Sequence, residues 1–163
     1  MIVVADSSPL IVLVNIGNLE ILPALFREVV IPPQIAAELA DAKRPQAVQD
    51  FIHARPQWLR VQAPVSVEPI PELHEGERAA ISLARELKAD LLLIDESDGR
   101  SAARARHLPI TGTIGILQRA AEQGLLDLAE AFERIKQTDF WISPKLLDAE
   151  LERYRGEEIE RER

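Results

Sequence analysis

The segments Ile2-Val3-Val4-Ala5-Asp6 and Leu91-Leu92-Leu93-Ile94-Asp95 decide the fold. Each is an uninterrupted apolar run that stops on an aspartate, and Glu96 and Asp98 follow close behind the second. Short apolar runs without alternation fit strands buried on both faces, the pattern of a parallel sheet covered by helices. Two parallel strands deliver their terminal aspartates to the same sheet edge, where open α/β folds place their ligands. Carboxylates gathered there point to a bound divalent cation.

Working outward, Ser8-Pro9 supplies an N-cap and a proline at the first helical position, so the first unit reads strand, Asp6, helix. Val29-Val30-Ile31 stops at Pro32-Pro33, and Ile35, Glu38 and Leu39 then recur at helical spacing. The middle of the chain is less regular: 47–54 reads as helix, 58–61 as a short strand and 64–71 as an extended connection. From Glu75 the pattern sharpens, with Glu77, Ala80, Ile81, Ala84 and Leu87 on one helix face ahead of the Leu91 run. A helix over 99–106, a minimal strand at Pro109-Ile110 and a helix opened by Gly112-Thr113 and ended by Gly124 come next. Helices over 126–136 and 144–154 complete the series. The expectation is an α/β fold whose central parallel sheet of four or five strands has helices on both faces. One domain over 1–145 precedes a charged C-terminal helix or tail over 146–163, solvated and fraying from residue 150.

Composition narrows the function. A chain of 163 residues with 47% hydrophobic side chains closes a sizeable core. No apolar run is long enough to span a bilayer, and Asp6 to Pro9 interrupt the only N-terminal candidate for a secretory signal, so a cytosolic, membrane-free protein is expected. Without cysteine, any metal must be held by oxygen or imidazole. His53, His74 and His107 have no mutual spacing of a ligand set and are assigned to the surface or its boundary, which leaves oxygen. The net charge of −8 argues against broad nonspecific nucleic-acid binding while allowing a local basic patch. Trp58 and Trp141 read as packing residues, because 4% aromatic content gives no stacking platform.

The acids carry the chemistry. An acid on the apolar stripe of a helix is desolvated at a cost of about several kcal/mol unless it is paired or bound to a cation. Glu38 and Glu77 sit this way, although a boundary glutamate that reaches water fits the same pattern. Asp6 alone is equally a helix cap, and Asp95 and Asp98 equally shape a turn after a strand. Their agreement on one sheet edge favours a site: like charges gathered there repel unless a cation lies among them, and oxygen ligands suit Mg²⁺ or Mn²⁺. Such an ion polarises a phosphodiester and aligns water for attack. Arg100 and Arg104, with Arg106 and His107 behind them, form a basic strip that either holds RNA phosphates or is a solvated helix face. The helix start at Gly112-Thr113 either offers amides to a phosphate or is capped by threonine. An aspartyl-phosphate enzyme would need a lysine near its nucleophile, and none is suitably placed.

These residues resemble a PIN-domain ribonuclease of the VapC-like kind, in a small prokaryotic branch. The likeness lies in Asp6-Ser7-Ser8-Pro9-Leu10, Ile31-Pro32-Pro33 with Glu38-Leu39, Glu75-Gly76-Glu77 with Ala80-Ile81 and Leu83-Ala84, Leu93-Ile94-Asp95-Glu96 with Gly99-Arg100, and Gly112-Thr113-Ile114-Gly115. It runs from about residue 2 to 144. The resemblance implies a PIN-like nuclease domain over 1–145, an acidic quartet of Asp6, Glu38, Glu77 and Asp95 on Mg²⁺ or Mn²⁺, and Asp98 as a further, more variable acid. It implies that Ser8 orients the first aspartate, with Arg100 and Thr113 in support. Many PIN domains carry Asp where Glu77 stands, and the longer side chain alters how closely a second ion is held. The expected activity is metal-dependent endoribonuclease, the toxin of a toxin-antitoxin pair with a small antitoxin as partner; the competing expectation is a noncatalytic protein- or RNA-binding module. A homodimer is expected, built on apolar positions around Leu10, Val14 and Ile16 or on the C-terminal helices.

Overall fold

The computed structural model describes residues 1–140 and 142–162; the packing expectation for Trp141 lies outside the described residues. Five parallel strands form one sheet: β1 (Val3–Ala5), β2 (Val29–Ile31), β3 (Leu59–Val61), β4 (Leu91–Leu93) and β5 (Ile110–Thr111), in the order β3-β2-β1-β4-β5. The two aspartate-terminated runs are the central neighbours β1 and β4, in register with Val3 opposite Leu91 and Ala5 opposite Leu93. Pairing continues past the strand ends, where the Asp6 amide donates to the Leu93 carbonyl at 2.9 Å. Asp6 and Asp95 therefore leave the same edge at the point where the chain order reverses, the usual ligand position in open α/β sheets.

Nine helices cover the sheet among the described residues: α1 (Ser7–Asn15), α2 (Ile21–Phe26), α3 (Pro33–Leu39), α4 (Gln46–Ala54), α5 (Glu75–Glu86), α6 (Ser97–Ala105), α7 (Thr113–Glu122), α8 (Leu128–Lys136) and α9 (Pro144–Glu162). Strand alternation splits the interior into two cores. Val3, Ala5, Val29, Ile31, Leu91 and Leu93 face one side with Leu10, Leu13, Leu117 and Phe132, whereas Val4, Val30, Leu92 and Ile94 face the other with Ile81, Leu83 and Ala103. The continuous apolar runs follow from this double coverage.

Helix α2 has no counterpart in the sequence reading, because Pro23 obscures it. Proline occupies the third helical position, inside the first turn where its missing N–H is not needed, and Ile21, Leu22 and Phe26 enter the core. The α1 face expected to form a dimer contact is used inside the protomer: Leu10 and Ile16 are core residues. Helix α9 continues to Glu162, eight residues past the expected end at 154, and it is anchored rather than free, since Leu147 and Tyr154 pack into the core and Lys136 bonds Asp148 at 2.9 Å. No helix among the described residues is long and apolar enough to cross a membrane.

Leu147 is fully buried whereas Ile159 is 55% exposed on the same helix. Leu147→Ala should therefore lower unfolding free energy by about 2–5 kcal/mol and Ile159→Ala by about 0.5 kcal/mol or less, read from urea denaturation. Equal losses would show that α9 is not docked through Leu147.

Candidate metal centre

Asp6 ends the central strand and caps α1 in position only, since its side chain makes no capping hydrogen bond. Its carboxyl is 2% exposed, and Oδ1 is buried without a hydrogen-bond partner. Burial pushes its pKa up from 3.8 to about 8; the Ser7 amide opposes this, and the charges of Glu77, Glu38 and Glu96 add to it.

Glu77 reaches the same place from the first turn of α5. It too is 2% exposed, and its Oε2 is buried and unpartnered. Desolvation raises its pKa, with Glu96 and Glu38 acting in the same sense and His74 against it. Glu38, half-buried on α3, stands across from His74, whose Nδ1 lies 3.7 Å from Glu38 Oε1 and whose Nε2 lies 2.7 Å from Glu77 Oε1.

Asp95 is held differently. Ser8 Oγ at 3.0 Å, the Thr113 amide at 2.7 Å and Thr113 Oγ1 at 2.8 Å all donate to its carboxylate. One expectation is corrected here, and one of two open readings is decided. Ser8 orients Asp95 rather than Asp6, because the first turn of α1 points its hydroxyl toward the neighbouring strand end. The Thr113 amide at the start of α7 is taken by Asp95 and is not open to a phosphate, so the helix N-terminus stabilises a carboxylate of the protein itself.

Three glycines border these carboxyls: Gly76, where a Cβ would run into Glu38 Oε1, Gly99 and Gly112. A Cβ on Gly99 would lie 2.7 Å from Glu77 Oε2 and 2.6 Å from Ile94 Cδ1, and one on Gly112 would lie 2.7 Å from Asp95 Oδ1. Close backbone approach, not turn geometry, requires glycine at both.

Glu38, Asp95, Glu96 and Asp98 line a groove of about 1030 Å³, with Arg44, His74 and Phe140 also in its walls; Asp6 and Glu77 are buried and are not part of that lining. The basic strip is only partly present. Arg100 Nη1 donates to the Ile94 carbonyl at 2.9 Å, bracing the end of β4, and Arg104 is exposed on α6. Arg106 instead clamps Glu68 through bonds of 3.0 and 2.9 Å and holds that carboxyl below its usual range. It is a structural brace for the connection ahead of α5.

Sequence reasoning missed His74 and underweighted Glu96. His74, Glu77 and Glu96 each bring a ligand atom within 4.8 Å of the others. The signal was local: His74 is the N-cap of α5 and Glu77 its third helical residue, positions that face one another at a helix start. Searching for spacing among histidines overlooked a spacing between a histidine and a glutamate.

The fold and this edge define an open α/β protein that presents clustered carboxyls at the switch point of its sheet. The chain belongs to the PIN domain family (DUF3368), whose model matches residues 2–155. Its fold is similar to that of a PilT N-terminus domain protein, SSO1118, from the hyperthermophilic archaeon Sulfolobus solfataricus P2, with a TM-score of 0.56 and 19% identity over 74% of this chain and 93% of that one. No curated protein matches the sequence significantly.

Because Asp6 holds a proton in the folded chain up to about pH 8 and releases it near 3.8 when unfolded, the metal-free protein should lose stability as pH rises between those values. Glu68, lowered by Arg106, works in the opposite sense, but its contribution is lost only as pH falls below 4.5. Calorimetric melting from pH 5 to 8 should show a falling Tm that Asp6→Asn flattens. A Tm that rises across this range in wild type would contradict the assignment.

Proposed function

We propose that the protein is a divalent-metal-dependent endoribonuclease that hydrolyses RNA phosphodiester bonds as the toxin of a toxin-antitoxin pair. The observation that carries the reading is the pair of buried, unpartnered carboxyl oxygens, Asp6 Oδ1 and Glu77 Oε2, at the open edge of the sheet. Buried carboxyl oxygens without donors cost stability, and hard oxygen atoms of this kind fit Mg²⁺ or Mn²⁺. Asp6 and Glu77 would hold the ion, with Glu38, Asp95 and Asp98 contributing from the groove wall directly or through water. Once bound, it supplies positive charge to the phosphodiester and lowers the pKa of a water.

The chain's own residues then position the reaction. Ser8 and Thr113 fix the Asp95 carboxylate, so its orientation is set before substrate arrives. Arg44 in the groove wall offers positive charge to a flanking phosphate. In the hydrolysis, water oxygen bonds to phosphorus as the P–O3′ bond breaks, and the departing oxygen takes a proton. The products are a 5′-phosphate and a 3′-hydroxyl.

The toxin role, the small antitoxin partner and the homodimer rest on the family resemblance. A noncatalytic module is the weaker reading, since a surface used only for association gains nothing from two desolvated acids side by side.

Asp6→Asn and Asp95→Asn should each reduce Mn²⁺-dependent cleavage of single-stranded RNA to background while leaving the circular dichroism spectrum unchanged. Full cleavage by both folded variants would sink the nuclease reading. Induced expression of wild type, but not of Asp6→Asn, should arrest growth, and absence of arrest would remove the toxin role alone.

A further inference from the structure

We propose that His74, together with Glu77 and Glu96, forms a mixed nitrogen and oxygen cation site that gives this protein a preference for Mn²⁺ over Mg²⁺. This rests on the metal-dependent reading above and adds an imidazole to a site otherwise made of oxygen.

The imidazole is committed to the acids and not to the helix. His74 is the N-cap residue of α5, yet its side chain makes no capping bond. Its Nε2 meets Glu77 Oε1 at 2.7 Å and its Nδ1 lies 3.7 Å from Glu38 Oε1, so the ring stands between two carboxylates. The ligand atoms of His74, Glu77 and Glu96 lie within 4.8 Å of one another, close enough to converge on one ion. Independently, the second oxygen of Glu77 and one oxygen of Asp6 are buried without partners, on residues that are each 2% exposed.

Placement between two acids is also the arrangement of a metal-ligating histidine, which gives one nitrogen to the ion while a carboxylate orients the other. The ring is about half exposed at the mouth of the groove, so it can exchange a carboxylate contact for an ion without disturbing the core. Oxygen ligands serve both ions, but magnesium dehydrates reluctantly and keeps a near-ideal octahedral shell of oxygen, whereas Mn²⁺, as a first-row transition ion, more readily takes an imidazole nitrogen among oxygen ligands. A nitrogen at this point therefore separates the two cations where carboxylates alone would not. The plainer role for His74, a counter-charge that relieves repulsion between Glu38 and Glu77, predicts no such separation.

Isothermal titration of Mn²⁺ and of Mg²⁺ into wild type and His74→Ala tests this, paired with electron spin-echo modulation of Mn²⁺ bound to wild type. The expected result is an Mn²⁺ affinity lowered about tenfold or more in the variant, the scale on which even indirect metal contacts act, with Mg²⁺ affinity little changed. Wild type should also show imidazole nitrogen coupled to the bound Mn²⁺. Equal losses for both ions, no loss for either, or bound Mn²⁺ without nitrogen coupling would overturn the proposal while leaving a metal-dependent nuclease intact. Failure of wild type to bind either ion would overturn both. The spin-echo measurement needs no variant, so a folding defect in His74→Ala cannot rescue the proposal.

Discussion

Everything at the open edge of this sheet depends on the burial of one carboxyl. Asp6 is the residue that the central strand delivers as it runs out of core, and it arrives in a place where water is excluded and no donor meets Oδ1. A charge there is costly, and the cost is compounded by Glu77, Glu38 and Glu96. Only a proton or a cation relieves it, so the metal-free chain holds Asp6 protonated up to about pH 8. On the proposed reading, proton and cation compete for this position, which lies behind a groove lined by Glu38 and Glu96.

Asp95 shows that the strain is local to one side of the edge. It emerges from the neighbouring strand yet receives three hydrogen bonds from Ser8 and Thr113. Its carboxylate is satisfied by the protein, and Asp6 is not. Two strand ends with the same chemistry thus differ: one acid is anchored by the protein, and the other keeps a buried oxygen without a partner. Gly99 and Gly112 let the backbone close in behind Glu77 and Asp95.

Much of this was legible in the sequence because burial on both faces of a parallel strand leaves an unbroken apolar run, and the end of such a run is marked by its first polar residue. Asp6 and Asp95 were found that way, and Glu77 by its intrusion on an apolar stripe. What could not be read were contacts across elements. That Ser8 serves Asp95 and not Asp6 depends on the spacing of β1 and β4, and that Arg106 belongs to Glu68 depends on a connection with no period. Helix α2 was hidden by Pro23, which is harmless in a first turn but reads as a breaker. His74 was missed for a different reason: a lone histidine carries no pattern until the residue three places on is seen to be a buried acid.

The same contacts bear on whether the fold is kept for catalysis or for association. A binding surface would be stabilised by replacing Asp6 or Glu77 with an apolar residue of similar volume, since burying an acid with one oxygen unpartnered is among the larger single penalties a core can carry. Both acids remain, 2% exposed, and the chain spends a helix N-terminus, three glycines and a histidine in arranging their surroundings. Their common effect is to crowd acids at one sheet edge, with ligand atoms of His74, Glu77 and Glu96 within 4.8 Å of one another, and that arrangement supports the reading of a site for positive charge over that of a passive surface.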